Sequence, residues 1–140
     1  FARPFVNSGR LSRPTPYLDS PLNMPDASAF RGAMRPGTNC ADAPVVHAGR
    51  PSWLLNQLGG DFTVLTFGAP PQREVSHNGV AARVIGVGHD IVDRDGLLGE
   101  RYDGQPGTTY LIRPDQHVAA RWRTFDERRI ADGIARAIGA

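Results

Sequence analysis

Lysine is missing from this sequence of 140 residues, so all 16 basic side chains are arginine. A codon bias toward GC-rich triplets accounts for that more simply than a chemical demand for guanidinium. The arginines form no stripe with interleaved aromatics; they stand beside acids, as in Asp93-Arg94-Asp95 and Asp126-Glu127-Arg128-Arg129. With a net charge of only +2, no nucleic-acid partner is expected. A single cysteine, Cys40, excludes an internal disulfide framework and any CxxC redox or zinc motif, and it suits a reducing cytoplasm. No run approaches the ~18 apolar residues of a membrane span, and no basic segment leads into an apolar one as in a secretory signal.

What is present suits one globular domain with one real core. The chain opens on Phe1 rather than Met, which leaves processing, a chosen boundary and a fragment all open. Pro4, Pro14, Pro16, Pro21, Pro25, Pro36 and Pro44 punctuate the first fifty residues. Each removes a backbone donor and pushes its predecessor toward extended conformations. Residues 1–35 therefore read as an extended arm leaving upstream domains, and 36–140 as the folded domain. Phe1, Phe5, Leu11, Tyr17, Leu22 and Phe30 give the arm apolar anchors, so it lies on a surface, either of this domain or of another.

From residue 45 the pattern becomes regular. Ser52 is a candidate cap for a short helix through Trp53, Leu54, Leu55 and Leu58, ended by Gly59-Gly60. Phe62-Thr63-Val64-Leu65-Thr66-Phe67 suits a central strand buried on both faces. The polar segment 68–79 is long enough for a crossover, after which 82–88 reads as a second strand parallel to the first. A helical turn is expected around Leu97 and Leu98, and a third strand over 108–113, with turn chemistry at Pro114-Asp115-Gln116. In 117–123 the alternation puts Val118, Ala120 and Trp122 on one face and Ala119, Arg121 and Arg123 on the other, as in a hairpin half-exposed to solvent. A final helix over 126–138 starts on Asp126 and Glu127, favourably for its dipole. Its apolar stripe is Ile130, Ile134, Ala137 and Ile138. The order β-α-β, hairpin, helix gives an α/β fold of thioredoxin type, with a central mixed sheet flanked by helices and an extended Pro-rich arm ahead of it.

Two resemblances sharpen this reading. Pro36-Gly37-Thr38-Asn39-Cys40-Ala41-Asp42-Ala43-Pro44-Val45, with Trp53-Leu54-Leu55 and 62–68 after it, resembles the opening of peroxiredoxin-type thioredoxin folds; 107–115 resembles their strand entering the last hairpin. More specifically, the chain is similar to the C-terminal domains of FAD-dependent aromatic-ring monooxygenases of the 3-(3-hydroxyphenyl)propionate hydroxylase and phenol hydroxylase type. The residues that carry this are Asn7 to Ser12 with Ser20 to Asn23, Trp53 to Leu65, and above all Leu111-Ile112-Arg113-Pro114-Asp115-Gln116-His117-Val118-Ala119-Ala120-Arg121-Trp122. The resemblance implies an accessory domain with a structural or dimerisation role, appended to FAD-binding and substrate domains of the same polypeptide. FAD, NAD(P)H and a phenolic substrate would all bind upstream, so no catalytic, cofactor-binding or metal residue is assigned in this chain. A free-standing, redox-inactive thioredoxin-like binding module is the alternative.

Each eye-catching residue also has a bland account. A thiol nucleophile would follow the first strand at a helix N-terminus, but the sequence there is Gly68-Ala69-Pro70-Pro71-Gln72, which excludes disulfide exchange and peroxide reduction. Cys40 precedes the fold and reads as a passive thiol. Gly86-Val87-Gly88 lacks the third glycine of a dinucleotide fingerprint and reads as a pair of small residues that permit close packing. His47, His77, His89 and His117 have no metal-like spacing; His89-Asp90 with Asp93 and Asp95 reads as a solvated acidic loop, and His117 as an exposed edge residue. Ser76-His77 has no ordered acid to complete a triad. Trp53 and Trp122 are the candidate interface anchors, toward the upstream domains or a second protomer.

Overall fold

The structure, a computed structural model, describes residues 20–139. Strands β1 (Pro44–His47) and β2 (Arg50–Trp53) form a hairpin, followed by a 3-10 turn over Leu54–Gln57. Next come β3 (Phe62–Phe67), β4 (Glu74–His77), β5 (Val80–Val87), β6 (Ile91–Asp93) and helix α1 (Leu97–Arg101). Strands β7 (Thr109–Ile112) and β8 (Val118–Trp122) and helix α2 (Glu127–Ala137) complete the domain. The strands make one mixed sheet in the order β2-β1-β6-β5-β3-β7-β8, with β4 hydrogen-bonded to the first half of β5.

The run 62–67, rich in β-branched and aromatic residues, occupies the centre of this sheet, parallel to β5 and antiparallel to β7. Because successive side chains alternate, Val64 and Leu65, both fully buried, feed different cores. Val64 joins Phe62, Val84, Leu111, Trp122, Ile130 and Ile134 beneath α2. Leu65 joins Leu54, Ile85, Leu98, Tyr102, Tyr110 and Ile112 beneath α1 and the 3-10 turn. A central mixed sheet with a helix on each face is the thioredoxin-like architecture the sequence led us to expect.

Several local expectations give way. Ser52 lies inside β2 and caps nothing: the 3-10 turn has no side-chain cap. Instead the Asp42 carboxylate accepts from the Leu55 amide at 3.0 Å, and Ser52 accepts from Gln57. The link between β3 and β5 contains strand β4 and no helix. Pro70 and Pro71 disfavour a helix at its start, and Asn78 (φ 48°) with Gly79 (φ 81°) close a two-residue hairpin turn of the type that requires positive φ at both positions. Strand β8 is buried throughout rather than half-exposed. A bulge between Leu111 and Ile112 shifts its register, so Val118 points into one core while Ala120 and Trp122 point into the other.

Helix α2 matches its sequence signature closely. The Asp126 side chain accepts from the Arg129 amide at 3.2 Å, capping the first turn. Gly133 allows the close approach: a Cβ there would lie 2.9 Å from Leu111 Cδ2 and 3.3 Å from Trp122 Cη2. Ile138 leaves the expected stripe; it follows the last helical residue and is 40% exposed.

Candidate functional site

The part of the arm within the described residues packs on this domain. From Ser20 to Gly37 it runs as an irregular strap over β8 and its neighbours. The Pro21 carbonyl accepts from Arg136 of α2 at 3.0 Å, and the Met24 amide donates to the Ala119 carbonyl at 3.0 Å. Farther along, Gly37 N donates to Val118 O at 2.7 Å and Val118 N to Thr38 O at 2.9 Å, so the strap pairs with what would be an open sheet edge. Arm residues 1–19 lie outside the described residues, and with them Phe1, Phe5, Leu11, Tyr17 and the Asn7 to Ser12 segment.

Arg121 of β8 and Arg123 just after it fasten the strap. Arg121, 5% exposed, grips Asp26 with Nε and Nη2 at 2.8–3.1 Å. Burial alone would lower the Arg121 pKa, but Asp26 and Tyr110 together raise it above its ordinary value. The Phe30 ring lies against both the Arg121 and Arg123 guanidinium carbons, 4.4 and 3.8 Å from its centroid, a cation–π arrangement. Its edge meets Tyr110, which is 5.1 Å from Tyr102 in a second T-shaped pair. Arg123 also reaches Asp103, whose carboxylate accepts from the Arg31 amide at 2.7 Å. That amide bond, then the Arg123 guanidinium, hold the Asp103 carboxyl below its ordinary value against the opposing effect of burial. Neither periodicity nor motif spacing points to this cluster. Its signal was an arginine inside an otherwise apolar strand and an acid, Asp26, in the proline-rich arm.

The position after β3 is closed to thiol chemistry. Gly68 donates to the Val87 carbonyl at 3.0 Å, and the Pro70 ring packs on Gly86, where a Cβ would sit 2.5 Å from Gly68 O and 2.7 Å from Pro70 Cδ. Gln72 bridges the Glu74 carbonyl and the Glu127 carboxylate. Cys40 lies elsewhere, buried in the α1-side core, and burial pushes its thiol up to about 12. Such a thiol is not a nucleophile near neutral pH.

Gly86 is a close-packing glycine. Its amide donates to Asp90 Oδ2 at 2.8 Å, and its side-chain space is filled by the chain's own loop. A dinucleotide phosphate needs such amides and open space, so these residues do not fit FAD or NAD(P)H. The acidic loop is spent on structure as well. Asp90 pairs with Arg73 at 3.0 Å; partial burial would raise its pKa, but Arg73 and the Gly86 amide bring it below the ordinary value. Asp93 caps α1 by accepting from Leu98 and Gly99. Among the described residues no cluster of three or more His, Cys, Asp or Glu is placed to hold a metal. His117, expected at an exposed edge, is 7% exposed, and the segment just after the strap bridges to it at Asn39.

The two tryptophans part company. Trp122 is 4% exposed in the core beneath α2, whereas Trp53 is 51% exposed at the end of the edge strand β2. Shallow grooves remain, one of about 460 Å³ where the strap meets Arg136 and another of about 300 Å³ lined by His47, Arg73, Arg83 and Asp90. Among the described residues no helix is long and apolar enough to cross a membrane.

No protein-family model matches the sequence, and no curated protein does. Solved structures do match in fold. Aklavinone-11 hydroxylase, in a ternary complex with FAD and aklavinone, superposes with a TM-score of 0.68 at 20% identity over 86% of this chain. The flavin-dependent monooxygenase PieE, in complex with FAD and substrate, gives 0.70 at 20% identity over 89%. The rebeccamycin biosynthetic enzyme RebC gives 0.57 at 19% identity over 86%. The chain spans only 26%, 25% and 22% of those three proteins. At these identities the likeness establishes a shared domain fold.

Proposed function

We propose that this chain is the C-terminal accessory domain, structural or dimerising, of an FAD- and NAD(P)H-dependent aromatic hydroxylase. The observation that carries the reading is the lopsided coverage: nearly all of this chain superposes on about a quarter of each flavin enzyme. The blocked redox position after β3 supports it, since a thioredoxin-like fold without its thiol is left with packing and assembly as its work. By the resemblance, the parent enzyme would act on a phenolic substrate such as 3-(3-hydroxyphenyl)propionate, with flavin, nicotinamide and substrate bound upstream. This chain alone would perform no chemistry.

The test is to express the complete gene product and compare it with the 140-residue chain. A yellow, FAD-containing protein that consumes NADH or NADPH and O₂ with a phenolic substrate supports the reading, provided that the 140-residue chain is inert. A colourless product no longer than this chain would leave a free-standing binding module.

A further inference from the structure

We propose that the outward face of β1, β2 and β6, centred on Trp53, is where this domain docks on the flavoprotein body of its own polypeptide. The inference rests on the accessory-domain reading and names its contact surface.

The register assembles the face. Val46 stands opposite Pro51 on one side and Val92 on the other, so the three share one side of the sheet. Trp53, two residues beyond Pro51, points the same way. The opposite side carries Val45 and Ile91, which are buried in the α1-side core, and α1 packs against β1 and β6. Outward, Trp53 is 51% and Val92 50% exposed, and neither belongs to a core cluster. Both are more exposed than Ile138, the other large apolar residue exposed among the described residues.

Size chooses between occupants. A half-exposed tryptophan beside a half-exposed valine, with Pro51 and Val46, offers on the order of 300 Å². A stable dimer buries about 800 Å² on each partner, so this patch is too small to hold a second copy by itself. A tethered partner is different, because linkage supplies an effective concentration in the millimolar range and a small apolar contact then suffices. The tether can reach. The strap begins at the α2 and β8 side, six strand spacings from β2, or about 29 Å. Residues 1–19 can span at most about 65 Å. Tryptophan is also enriched at protein contacts relative to the rest of the surface.

Hydroxyl-radical footprinting read by mass spectrometry, on the 140-residue chain and on the complete gene product, tests this. We expect a monomeric 140-residue chain with rapid oxidation of Trp53 and slow oxidation of Trp122. In the complete product Trp53 should be protected several-fold, and Trp53→Ser should return Val92 to its rate in the short chain without lowering the short chain's melting temperature. Equal Trp53 oxidation in both proteins would overturn the docking proposal while leaving the accessory reading intact. So would a dimer of the short chain that Trp53→Ser abolishes, since the occupant would then be a second copy. A gene product no larger than this chain overturns the accessory reading itself, and its mass alone reveals that.

Discussion

Arg121 and Asp26 stand 95 positions apart in sequence, yet they meet as a forked ion pair with both Nε and Nη2 on one carboxylate. The arginine is buried and the acid about a quarter exposed. The pair converts a proline-rich leader into a layer of the domain. It also explains how an arginine is tolerated in a strand that is otherwise apolar.

Asp26→Asn should therefore act on the whole fold. It leaves a buried guanidinium without its counter-charge, which costs about 2 kcal/mol at a site between exposed and buried. Urea unfolding would show the loss as a lower midpoint, and limited proteolysis would cut the strap sooner. An unchanged midpoint would mean that the pair is ornamental.

Gly86→Ala should destabilise by about 1–3 kcal/mol through overpacking. The added methyl would meet a carbonyl oxygen and a proline ring, neither of which can swing aside. Calorimetry decides this, and a wild-type melting temperature would show that the loop after β3 can move.

The hairpin turn makes a contrasting pair of substitutions. Asn78 is held at φ 48°, so Asn78→Ala should cost about 1 kcal/mol, whereas Asn78→Gly should be tolerated. If both variants melt alike, the turn differs from the one described.

Asp103 sets an acid limit. Its folded pKa lies below the ordinary 3.8, so the folded state binds fewer protons than the unfolded one between the two values. Its stabilisation is complete above 3.8 and is lost as the pH falls through the lower folded value. Asp103→Asn should flatten the acid limb of stability against pH. Superimposable limbs would assign acid unfolding to other carboxylates.

Cys40 should be silent in the native protein. Moving the thiol from 9.0 to about 12 lowers its thiolate fraction by about a thousandfold near neutral pH. Alkylation should be slow until urea unfolds the chain, and Cys40→Ser should introduce or remove no peroxidase activity. Rapid native modification would contradict the burial.

The sequence by itself determined a good deal. A six-residue run rich in β-branched and aromatic residues reads as a central strand because it is too short for a helix and its residue types pack well on a pleated sheet. Asp126 with the Ile130 and Ile134 spacing reads as a capped amphipathic helix, because cap and stripe are local properties. The missing thiol after β3 is legible letter by letter. Tertiary structure alone decided where the strap lies, which tryptophan is buried, and which acid neutralises Arg121. Each depends on contacts between distant segments, and alternation cannot report them. The bulge opposite Leu111 and Ile112 parted Val118 from Ala120 and Trp122, and a strap packed over the edge of β8 buried what the pattern left open to water. Trp53 and Trp122 are alike as letters; only their neighbours across the sheet made Trp122 a core residue and left Trp53 exposed.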